Sequence, residues 1–130
     1  MSDDDGSALR SEVQAFYAGF GQPGLLVAAL REAVLLVPVT EDDRVCTYTV
    51  GGVRWIAGFT GVGELAGWLA RRGVGPEGEY RYHRLWGWRL TGYAAALPEP
   101  AGVMVDAGGA APVAFPPGVG EDAATAVGVR

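Results

Sequence analysis

The chain has no lysine, one histidine and one cysteine among its 130 residues. Each shortage removes a class of chemistry. Without lysine there is no P-loop cation, and no G-x-x-x-x-G-K-[ST] motif occurs. A lone Cys46 makes no internal disulfide and has no companions for a zinc site. With only His83 and Cys46, one Cys–His pair is the sole nucleophilic dyad the chain could build, and acid–base chemistry near neutral pH has few carriers. G-x-S-x-G is absent, so nothing supports a serine hydrolase. The longest apolar runs, such as AVLLVPV, fall far short of the roughly 20 residues that span a bilayer. The start, MSDDDGS, is acidic where a secretory signal is basic and then apolar. A soluble, cytoplasmic protein is the expectation, with no cofactor and no metal.

What is present is apolar and glycine-rich: 49% hydrophobic residues and 21 glycines without a repeat, a globular composition. All ten basic residues are arginine, as codon bias in a GC-rich genome would produce; selection for bidentate recognition of phosphate or carboxylate is the sharper alternative. The net charge of −5 argues against sequence-independent nucleic-acid binding, which needs a strong basic footprint.

Periodicity orders the chain. Leu9, Val13, Phe16, Tyr17 and Phe20 share a helical face that ends near Gly19, Gly21 and Pro23. Leu25, Leu26, Ala29, Leu30 and Ala33 mark a second helix. AVLLVPV reads as a buried strand, with Pro38 near its end or on an edge. VCTYTV and VRWIAGF, joined by Gly51-Gly52, read as a hairpin whose turn needs positive φ. Thr60 is expected to N-cap a helix over GVGELAGWLARR, with Leu65, Trp68 and Leu69 inward. Strand character then runs to Trp86, helix from Trp88 to Leu97, and two short strands follow at AGVMV and Pro112–Phe115, separated by an Asp106 turn. The expected architecture is a single α+β domain over 8–117, a mostly antiparallel sheet of about five strands with helices packed on one side. A disordered leader at 1–7 and a flexible tail at 118–130 flank it.

Most candidate sites are better explained by ordinary structure. Cys46 is an inert small hydrophobe on a strand. His83, between Arg81 and Arg84, is disfavoured as an imidazolium. Glycines before the Thr60 helix are turn chemistry, and Glu41-Asp42-Asp43 is a solvated turn without EF-hand spacing. The stretch RYHRLWGWRL holds three arginines, Trp86, Trp88 and the histidine. It is expected mostly inside the fold, with one tryptophan beside Arg84 and Arg89 exposed as a partner or homodimer surface. The alternative is a small-molecule or enzymatic pocket lined by Thr60, His83 and Arg84.

LVAALREAVLLVPV, WIAGFTGVGELAGWLARRG, RLWGWRL and PAGVMVDAGGAAPVAFPP together resemble the amino-terminal domain of the SseB family, over about Leu25 to Pro117. The resemblance lies in Val37-Pro38, Phe59-Thr60 and Trp68; the chain departs from it at Val105-Asp106, where enteric members have Asn-Pro, and the second domain of those members is not expected here. These are structural motifs. The resemblance implies an accessory or protein-interaction domain and carries over no catalytic residue.

Overall fold

The computed structural model describes residues 7–40, 42–73 and 81–117, together with the backbone of 127–128. The expected leader and tail therefore lie outside the described residues, apart from Ser7, Pro117 being the last residue before the tail, and the 127–128 pair. The elements run α1 (Ser7–Tyr17), α2 (Pro23–Glu32), β1 (Val34–Val39), β2 (Thr47–Val50), β3 (Val53–Gly58), α3 (Val62–Arg71), β4 (Arg81–Trp86), α4 (Gly87–Ala96), β5 (Gly102–Val105), β6 (Val113–Phe115) and β7 (Val127–Gly128).

Two sheets form, one of β1 and β4, the other in the order β2-β3-β5-β6-β7. All neighbours are antiparallel except β3 and β5, which run parallel and in register from Trp55–Gly102 to Gly58–Val105. Leu36 and Phe59 exchange backbone hydrogen bonds of 2.8 and 2.9 Å and stitch β1 to the end of β3. The class is α+β.

Strand alternation divides the interior. Leu35, Val37, Ile56, Val103, Val105, Val113 and Phe115 point to one side and pack with Leu9 and Val13 of α1, Leu26, Val27 and Leu30 of α2, and Leu90 and Ala94 of α4. Leu36, Ala57 and Phe59 point to the other side, where Leu65 and Leu69 of α3 cover them. One-sided packing thus holds for three helices. α3 lies on the opposite face because β1 and the end of β3 are apolar on both faces and need cover on both. Full burial of each leucine contributes roughly 2 kcal/mol.

The Gly51-Gly52 turn has φ of 60° and 85°, the left-handed pair that a two-residue hairpin requires. Pro38 occupies the penultimate position of β1, and its carbonyl accepts the Cys46 N–H at 3.1 Å. Three expectations shift. α1 ends at Tyr17, since Gly19 turns left-handed at φ 91°, so Phe20 falls in the connector and is 81% exposed. In α2 the buried stripe is Leu26, Val27 and Leu30, leaving Leu25 exposed. Cys46 precedes β2 and is not within it.

Candidate functional site

The strand-to-helix junction at Trp86-Gly87 is set by close packing. A Cβ on Gly87 would stand 1.7 Å from the Leu30 carbonyl oxygen, so only glycine lets α4 start against the C-terminal end of α2. Gly87 also donates its N–H to the Ala33 carbonyl at 2.7 Å. With Gly87 buried and pinned, its neighbours are turned outward. Trp86 and Trp88 are each 47% exposed, where only one exposed tryptophan was expected, and Arg89 lies 5.8 Å from the Trp88 ring.

The register of β4 on β1 places Tyr82, Arg84 and Trp86 opposite Pro38, Leu36 and Val34, on the α3 side of the sheet. Arg81, His83 and Leu85 are opposite Val39, Val37 and Leu35, on the other side. There Arg81 donates to the Asp43 carboxylate at 2.5 Å, and His83 Nε2 lies 3.8 Å from the same oxygen. Asp43 sits in a left-handed conformation at φ 63°. His83 and Arg84 therefore face opposite ways. Arg84, Trp86, Trp88 and Arg89 lie on one short junction of exposed residues.

Thr60 is 7% exposed and does not cap α3; the N-cap is Gly61, without a side-chain bond. The parallel register of β3 and β5 brings Asp106 beside Thr60, and the Asp106 carboxylate accepts the Thr60 N–H at 2.9 Å and its hydroxyl at 2.8 Å. The hydroxyl is the donor in this bond, and its acceptor is charged, which makes it a strong one. Asp106 has φ 54° and closes its turn by accepting the Gly109 N–H at 2.9 Å. Around this clamp, at the carboxyl ends of β3 and β5, is a pocket of about 170 Å³ with Leu9, Val13 and Val105 among its apolar lining and Arg10, Thr60, Glu64 and Asp106 among its polar lining. Arg10 donates to the Thr60 carbonyl at 3.2 Å. His83 and Arg84 do not line this pocket, so the trio of Thr60, His83 and Arg84 is not assembled around it. Arg10, Glu64 and Asp106 were not legible as its partners, because only the parallel pairing and the placement of α1 bring them together.

Cys46 approaches β1 from the edge opposite to β4, so β1 separates it from His83. Burial raises the thiol pKa above 9.0, and the Arg72 guanidinium lowers it less than burial raises it; a retained proton works against a nucleophilic role. Arg72 itself stacks 4.2 Å from the Trp68 ring centroid and 5.6 Å from that of Tyr48, closing the aromatic layer of Tyr48, Trp68 and Phe59. Among the described residues, no group of three or more His, Cys, Asp or Glu side chains could hold a metal ion, and no helix is long and apolar enough to cross a membrane.

No family model, curated protein or solved structure matches the chain.

Proposed function

We propose that this chain is a non-enzymatic protein-interaction module of the SseB-like kind, and that its contact surface is the β4–α4 junction. One observation carries the reading: two tryptophans are half-exposed on either side of a glycine that packing holds in place. Exposed tryptophan with arginine is the composition enriched where binding energy concentrates, and a rigid junction loses little conformational entropy on contact. Trp88 belongs to neither buried core cluster, so its truncation should leave the fold intact. The test is recovery of a partner by tagged chain from the native host at endogenous expression. A protein retained by the wild type and lost with Trp88→Ala, at unchanged melting temperature, supports the module. Equal recovery with Trp88→Ala moves the contact elsewhere.

A second reading, small-molecule binding, draws on the pocket at the carboxyl ends of β3 and β5, a location at which α/β crossovers bind ligands. Thr60 is the residue of the expected pocket that lines it. A thermal-shift screen of amino acids and phosphorylated metabolites is the check. A ligand that raises the melting temperature of the wild type but not of Glu64→Gln favours this reading; a flat screen leaves it without support.

A further inference from the structure

We propose that the outer edge of β4 takes up an extended, acidic segment of another protein as an added strand. This rests on the interaction reading above and names its partner chemistry.

The backbone phase of β1 sets the geometry. Leu36 exchanges both backbone hydrogen bonds with Phe59, and the Pro38 carbonyl bonds Cys46 on the same side, so the even-numbered residues of β1 direct their backbone polar groups away from β4. The odd-numbered residues carry the β1–β4 ladder, and the Ala33–Gly87 bond continues it in phase. In an antiparallel pair, residues directly opposite are either both hydrogen-bonded or both not. Arg84 is opposite Leu36, and Trp86 is opposite Val34. The N–H and C=O of Arg84 and the N–H of Trp86 therefore point to the outer edge, where no described strand pairs with β4, while the Trp86 carbonyl, at the N-cap of α4, opens that helix. Such an edge is a template for an incoming strand.

Charge chooses the occupant. Arg84 and Arg89 are exposed, and neither makes an ion pair among the described residues. Two exposed arginines beside this edge, on a chain of net charge −5, are cations that an acidic segment complements. A second copy of the chain is disfavoured at this edge. A two-fold antiparallel pairing of β4 centred on Arg84 would set Arg84 directly against its own copy, and like charges directly opposite destabilise a strand pair. An incoming strand with a carboxylate opposite Arg84 and an apolar residue opposite Trp86 satisfies both side chains at the strand period of two.

The experiment uses the isotopically labelled full chain and a synthetic peptide that carries a glutamate and a valine two positions apart, with threonine at the other positions, so that one faces Arg84 and the other Trp86. The expected result is saturable binding in which the Arg84 and Trp86 amides shift and gain protection from hydrogen exchange. N-methylation of alternate peptide residues, which removes the ladder donors, should weaken binding roughly tenfold. The matching lysine peptide should not bind, and Arg84→Glu should reverse that preference; Arg84→Gln, a neutral change, should weaken the glutamate peptide without favouring the lysine one. Acidic-peptide binding that leaves the Arg84 and Trp86 amides unprotected overturns strand addition, while the junction still stands as a contact surface. No binding at millimolar peptide overturns the acidic occupant. In either case, association with the native partner that is lost on Trp88→Ala shows that the interaction reading survives; association insensitive to Trp88→Ala removes that reading too.

Discussion

Gly87 carries more of the architecture than any larger side chain near it. Its missing Cβ allows the C-terminal end of α2 to touch the start of α4, and its burial turns Trp86 and Trp88 outward. Gly87→Ala should therefore destabilise the chain by roughly 3 kcal/mol, the upper part of the range for overpacking, because the obstructing atom is backbone and cannot swing aside. Denaturant unfolding measures it, and a loss below about 1 kcal/mol would mean that the two helices separate easily. Thr60 makes a smaller, local contribution. Thr60→Val keeps the shape and removes the hydroxyl that the Asp106 carboxylate accepts, leaving one bond from the Thr60 amide. A loss of about 1–3 kcal/mol is expected, since the acceptor is charged and partly buried. Thr60 is not an N-cap because α3 begins one residue later, with Gly61 at that position. Sequence proximity to the α3 start suggested capping, but a residue 46 positions away claims the hydroxyl.

At the scale of elements, the hairpin of β2 and β3 is the most local piece, and its turn tests whether local chemistry is enough. Gly51 stands at φ 60° with open space around it, so only conformation constrains the site. Gly51→Asn should change stability by a few tenths of a kcal/mol, because asparagine enters the left-handed region readily. Gly51→Val should cost about 1–2 kcal/mol, and thermal unfolding distinguishes the two. The hairpin, the α2–β1 boundary and α3 are all readable from the chain, since their signals are a glycine pair, a change of period and an i, i+3, i+4 stripe. The change of state at Gly87 is readable too. The face taken by α3 is not, because an amphipathic helix shows which side it buries and not which side of a sheet receives it. Nor is the parallel pairing of β3 with β5, which α3, β4 and α4 separate in sequence.

Across the whole molecule, stability should fall in alkali before any general deprotonation of arginine. Burial holds the Cys46 thiol protonated above 9.0 and the Tyr48 phenol above 10.0, with Arg72 opposing both shifts. In the unfolded chain these groups lose protons at their ordinary values, so above them the folded state binds more protons than the unfolded state. The stabilisation from a retained proton is complete below the ordinary value of each group, begins to fall above it, for Cys46 at lower pH than for Tyr48, and is lost as pH rises through the raised folded values. Chemical denaturation between pH 8 and pH 11 should show that decline, and Cys46→Ala should remove its lower-pH part. A flat profile would mean that both groups titrate as they do in the unfolded chain.

The chain's own order of residues determined its class and most of its elements: apolar periodicity, glycine pairs and prolines act over a few positions and need no distant partner. It also singled out RYHRLWGWRL by composition. The tertiary structure alone decided how that stretch is used. Whether a tryptophan beside a glycine is buried depends on what touches the glycine, and here it is α2, some 57 positions earlier at Leu30. In the same way, Thr60 meets Asp106 and not His83 because strand register, which is set by burial of whole faces at once, joins residues far apart in sequence.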